Sequence, residues 1–235
     1  MKNLVLIGGG HSHAIALRSW GINPIPDVHL ILISDTSHAA YSGMLPGHLG
    51  GIYSFEECHI DLKRLANFAN AQFILDKAIE LDLPNKRVLC ARHVPIDFDY
   101  LSIDIGSTPA TNHIPGVQEY AIAVKPIPHF LSSWQQFIQS IQKDNLSISI
   151  GIVGGGAGGV ELAFTLQIQL EKILAKTNNG RVDIHLFHRQ QELMNGYPTI
   201  VRKKFEQLAI DRGIQLHLNE SVDRKSTRLN SSHRH

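Results

Sequence analysis

Apolar residues in this chain come in short dense runs instead of long stripes. Residues 2–7, 28–33, 100–105, 147–153 and 182–187 are apolar at most positions, as strands buried on both faces of a parallel sheet require. Shorter runs at 72–75 and 87–89 also predict strands, with Pro84-Asn85 marking a turn between them. Helix-compatible stretches occupy 13–20, 62–70 and 129–143, and another runs from the turn at Gly154 to about residue 176. Gly, Pro and Ser interrupt residues 36–62, so that stretch is expected to be rich in loops. Gly106-Ser107-Thr108-Pro109 stops the strand at 100–105, and Pro126-Ile127-Pro128 marks a boundary.

One order of elements occurs twice. A strand, a glycine turn, a helix and a second strand begin near residue 3 and again near residue 147. An internal repeat of this kind predicts an α/β protein with two Rossmann-like dinucleotide-binding domains, the second incomplete. The expected division is 1–125, 126–222 and a tail at 223–235.

The second turn reads Gly154-x-Gly156-x-x-Gly159 between strand and helix. In this pattern Gly154 permits the tight turn, Gly156 lets a diphosphate reach the backbone, and Gly159 lets helix and strand pack closely. The helix N-terminus then offers free N–H groups to the phosphates. The first turn departs from the pattern: Gly8 and Gly10 are in place, but His13 stands where the third glycine belongs. The carboxylate expected to end the following strand is displaced by one residue. Ser34 holds its place and Asp35 follows, as a shifted ribose partner or a turn cap. In the second unit that place holds His188 and Arg189, and a cation there favours a 2′-phosphate over a free hydroxyl.

Composition narrows the class. With 43% hydrophobic and 18% charged residues the chain can bury a core, and a net charge of +1 gives no reason to expect nucleic acid. No apolar run approaches the roughly 18 residues of a membrane span. Two distant cysteines, Cys58 and Cys90, suggest neither a disulfide framework nor a redox pair, and point to a reducing cytoplasm. The histidines lack ligand spacing, so no metal is expected. Residues 223–233, DRKSTRLNSSH, resemble a reading-frame translation of a sequencing-library adapter. We expect that tail to be non-native and unpacked, with the natural chain truncated at about residue 222.

Four segments taken together resemble a known family: LVLIGGGHSHA at 4–14, YSGMLPGHLGG at 41–51, LSIDIGSTP at 101–109 and IVGGGAGGVELA at 152–163. They are similar to pyridine nucleotide-disulfide oxidoreductase-like flavoproteins. The first two look most like the flavin oxidoreductase domain associated with selenide, water dikinase, itself similar to type II NADH dehydrogenases. The resemblance implies FAD on the first unit and NAD(P)H on the second. Gly8, Gly10, His11 and Ser12 would face the FAD diphosphate. Ser42, Gly43 and Pro46 would approach the flavin, Ala78 the adenine, and Gly106 would close over the cofactor. Gly154, Gly156 and Gly159 would hold the nicotinamide nucleotide, and Glu161 would lie near its junction with the flavin as the one catalytic candidate. Ile105 departs from the family's threonine. The family's ribityl contacts come from a later stretch, so loose FAD binding and no activity are expected of this chain. The implied reaction is hydride transfer from NAD(P)H to FAD and on to a small-molecule or quinone-like acceptor. The alternative is a non-catalytic nucleotide-binding module that regulates or scaffolds a selenium-handling partner.

Overall fold

The computed structural model describes residues 1–109, 114–141, 147–175 and 180–222. The chain opens with β1 (Lys2–Ile7), α1 (His11–Ile22), β2 (Val28–Ser34) and β3 (His38–Ala40). A 3-10 turn at Ser42–Met44 leads into α2 (Leu45–Leu49). There follow α3 (Phe55–Cys58), β4 (His59–Asp61), α4 (Leu62–Phe68), β5 (Gln72–Leu75), β6 (Ala78–Asp82), β7 (Arg87–Cys90), β8 (Ile96–Asp97) and β9 (Tyr100–Ile103). The remainder is α5 (Val117–Tyr120), α6 (Ile127–Ile141), β10 (Ile148–Val153), α7 (Ala157–Leu174), β11 (Val182–His188), α8 (Thr199–Asp211) and β12 (Gln215–Leu218). Two compact units result: residues 1–42 with 54–108, and residues 43–53 with the described residues from 109 onward. The expectations about the tail lie outside the described residues.

In the first unit β5-β2-β1-β9 form one parallel sheet. Side chains alternate across a strand, so the all-apolar runs of β1 and β2 face two cores. Leu6, Leu30 and Leu32 pack on Leu17 of α1 and on Leu62 and Ala66 of α4. On the opposite face Val5, Ile7, Ile31, Ile33 and Ile74 meet Val88, Cys90 and Ile96 of the antiparallel sheet β6-β7-β8. Each such buried Val, Leu or Ile stabilises by about 1.5–3 kcal/mol.

In the second unit β10-β11-β12 are parallel. Val160 and Ala163 of α7 pack on Ile184 and Leu186, while Trp134, Phe137 and Ile141 of α6 pack against Ile148, Leu170 and Leu174. The strands that begin at Lys2 and Ile148 therefore lie in separate sheets, as the repeat predicts.

Residues 36–62 are more regular than their composition suggests. β3 and β4 pair antiparallel, His38 opposite Asp61. A reciprocal cap starts α3: Glu57 N–H donates to Ser54 Oγ at 3.2 Å, and Ser54 N–H to Glu57 Oε2 at 2.8 Å. The turn at Pro84-Asn85 joins β6 to β7, not β5 to β7. β6 escapes a reading by apolar pattern because Ile79 and Glu80 are both exposed.

Candidate functional site

The carboxyl ends of the first parallel sheet form one edge. Gly8 N–H donates to Ile33 O, Asp104 N–H to Ile7 O and Asp76 N–H to Ser34 O, each at 2.8–2.9 Å. These bonds set Gly8, Asp104, Asp76 and the adjacent Asp35 side by side, with Gly106 just beyond. Gly8 has φ +93°, and a Cβ there would strike the backbone of Asp104, so only glycine fits. Gly106 also has a positive φ, +76°. His11 and Ser12 open α1, are exposed, and their N–H groups find no acceptor among the described residues. Asp35 is exposed and unpaired among those residues, which leaves its carboxylate available. Ala78 begins β6, opposite Cys90.

Three residues not expected among the cofactor contacts hold this edge together. His13 is 4% exposed; its Nδ1 donates to Gly8 O at 2.7 Å and its Nε2 lies 2.8 Å from Ser102 Oγ. Asp76 is also 4% exposed and accepts N–H bonds from Lys77, Arg92 and His93 at 2.7–2.8 Å. Burial alone would raise the Asp76 carboxyl; the N–H donors of Arg92, Lys77 and His93, with the Arg92 side chain, hold it below the ordinary carboxylate value. Asp104 O accepts the Gly10 N–H at 3.0 Å, and its Oδ2 accepts the His13 N–H at 3.2 Å. The available signal was polar residues breaking apolar runs: Asp76 closes QFILD, and Asp104 interrupts LSIDI.

The second unit repeats the plan with a cleaner turn. Gly154 has φ +122°, and a Cβ on Gly159 would overlap the Gly154 carbonyl oxygen. None of the described residues lies within 4 Å of a Cβ position on Gly156. Val160 N–H closes the first helical bond, to Gly156 O, so the N–H groups of residues 157–159 stay unbonded among the described residues. This turn fits a dinucleotide diphosphate: bare at the second glycine, close-packed at the third, with free donors at the helix end. Glu161 is exposed one turn into α7.

His188 makes a contact within the turn itself. Gly155 N–H donates to its Nδ1 at 3.1 Å, and its Nε2 is buried with no partner among the described residues. It braces the glycine turn from the place where the pattern sets a ribose carboxylate, and only the exposed Arg189 beside it is available as a cation. Within this unit Gly43 is exposed and Pro46 lies in the first turn of α2. Leu45 and Leu49 are buried, and the Cβ position of Gly50 lies 3.3 Å from Thr165 Cγ2 of α7. Ser42, exposed, closes the first unit's segment, next to Tyr41, whose ring stacks on His11 at 4.7 Å.

The family described as pyridine nucleotide-disulphide oxidoreductase matches residues 2–232. The chain belongs to that family. It is similar to proteins named as NADH dehydrogenases and quinone reductases. It is 24% identical over 227 residues to the NADH dehydrogenase-like protein YutJ of Bacillus subtilis, covering 92% of this chain and 57% of that one. NDH2 from Plasmodium falciparum, solved in complex with NADH, matches with a TM-score of 0.77 at 19% identity, over 93% of this chain and 48% of that one. The sulfide:quinone oxidoreductase of Aquifex aeolicus matches with a TM-score of 0.73 at 24% identity, over 95% of this chain and 52% of that one. The structural likenesses establish an FAD/NAD(P)-binding Rossmann-like fold, and the chain spans about half the length of these proteins. Both cysteines are free and buried, and burial pushes both thiols up, which leaves no thiolate poised for a dithiol relay. Among the described residues no helix is long and apolar enough to cross a membrane.

Proposed function

We propose that the first unit binds FAD, that the second binds NAD(P)H, and that the chain serves an oxidoreductase passing electrons to a quinone-like acceptor. The observation that carries this reading is the pair of strand-glycine-helix turns. The second has an open flank at Gly156 and a forced contact at Gly159. The quinone-like acceptor is supported by the Aquifex relative, which is named as a quinone oxidoreductase.

Flavin and nicotinamide supply the hydride chemistry, and the protein supplies position and electrostatics. The free N–H groups at the start of α7 hold the diphosphate of the nicotinamide nucleotide, and His188 keeps that turn in shape. Arg189 offers a charge to a 2′-phosphate, which favours NADPH. Glu161, one turn into α7, faces the nicotinamide end. In the first unit His11 and Ser12 present N–H donors to the other diphosphate, Asp35 its carboxylate to the ribose, and the backbone at Ala78 meets the adenine. Gly106 covers the cofactor, and Ser42, Gly43 and Pro46 line the approach to the flavin. Two free thiols suit a reducing cytoplasm. The link to a selenide, water dikinase partner rests on the resemblance of the first two segments alone.

The test is a visible spectrum of the purified protein, followed by anaerobic addition of NADPH or NADH. A flavin band that bleaches supports the enzyme. Nucleotide binding with no spectral sign of FAD binding when FAD is added in excess would overturn it in favour of a nucleotide-binding module.

A further inference from the structure

The two glycine turns differ at one place, the flank of the second glycine. Beside Gly156 none of the described residues lies within 4 Å of the Cβ position. Beside Gly10 that position is filled by the carboxylate of Asp104, whose Cγ, Oδ1 and Oδ2 would all collide with a Cβ. In this fold the bare second glycine is what lets a diphosphate reach the backbone. A helix N-terminus also attracts negative charge through its unpaired N–H groups. Asp104 answers both features from within the chain: its Oδ2 accepts the N–H of His13 at 3.2 Å, inside the first turn of α1. No lysine or arginine forms an ion pair with it among the described residues. The neighbouring His13 imidazole is engaged with Gly8 O and Ser102 Oγ instead.

We propose that Asp104 sets the affinity of the first unit for a dinucleotide diphosphate, by holding an anion of the protein's own in the space beside Gly10. A diphosphate entering that space meets a like charge and must displace the carboxylate to reach the turn. The second unit has no such competitor, so its turn binds without this cost. The inference rests on the reading of the first unit as the FAD site.

The test is titration with FAD, followed by quenching of flavin fluorescence, on the wild-type chain, Asp104→Asn and Asp104→Ala. Asn keeps the shape and an oxygen for the His13 N–H while removing the charge. Ala clears the flank of Gly10, as at Gly156. Asp104→Asn is expected to bind FAD about tenfold more tightly or better, the scale of removing one like charge close to a phosphate. Asp104→Ala is expected to gain at least as much. Thermal unfolding by circular dichroism checks each variant; if Asp104→Ala melts early, the near-isosteric Asn variant decides. An Asp104→Asn protein with wild-type melting and equal or weaker FAD affinity overturns the proposal while leaving the FAD reading intact. Absence of FAD binding by all three proteins overturns that reading, and the proposal with it.

Discussion

Three side chains at the carboxyl ends of the parallel strands carry consequences that single substitutions expose. His188 accepts the Gly155 N–H and buries an unpartnered Nε2. Asn at 188 retains an acceptor close to Nδ1, whereas Leu leaves the Gly155 N–H unpaired. His188→Leu is therefore expected to be about 1–3 kcal/mol less stable than His188→Asn in thermal unfolding. Equal melting of the two would show that the bond contributes nothing. Asp76 contributes to the acid limb of stability. Its carboxyl is held below its ordinary value, so its contribution is complete above about pH 4 and is lost as pH falls through the lowered value. Asp76→Asn turns an amide NH₂ toward backbone donors. It should be less stable than wild type at neutral pH, with the gap closing in acid; a gap constant with pH would refute this. Arg189 is exposed and unpaired among the described residues. If it meets a 2′-phosphate, Arg189→Ala should weaken NADPH by roughly 1.5–3 kcal/mol, measured by titration, and spare NADH.

At the scale of elements, the strand-turn-helix joint assigns different work to neighbouring glycines. Gly159 lies against the Gly154 carbonyl, so Gly159→Ala must push α7 away from β10. Gly156 has open space at its Cβ position, so Gly156→Ala should melt like wild type yet obstruct a phosphate. The expected pattern is a lowered melting temperature for Gly159→Ala, and an unchanged one with weakened NAD(P)H binding for Gly156→Ala. Two variants that melt alike and bind alike would contradict this division of roles. The first turn solves the same joint differently. His13 occupies the third-glycine position, and its ring bonds the Gly8 carbonyl, the counterpart of the Gly154 carbonyl that Gly159 abuts. The departure noted in the sequence is thus a different fastening, made possible by Ser102 on the adjacent strand β9.

For the whole molecule, the division into units cuts across the chain order. Residues 43–53 lie between elements of the first unit in sequence but belong with the second, where α2 packs on α7. In hydrogen exchange, amides of Leu45–Leu49 should lose protection together with α7, not with β1 and β2. Leu49→Ala, which empties a site only 3% exposed, should cost about 2–5 kcal/mol and speed exchange in both helices. Exchange of 45–49 that follows β1 would count against this grouping. The elements that could be read beforehand were those carrying local signals. The apolar strands 2–7, 28–33 and 147–153 read clearly because both their faces are buried, and the glycine turns because positive φ and close approach leave no other residue. What local pattern could not supply was every feature fixed by partners far along the chain. β6 reads as polar because only its pairing with β7 makes it a strand. Asp76 and Asp104 look like ordinary polar breaks until parallel pairing sets them on one edge. The identity of the joints was therefore determined by the sequence, since backbone sterics act within a few residues. The identity of the anions around the first turn was decided by the tertiary structure, since β1 meets β9 only across about a hundred residues of intervening chain.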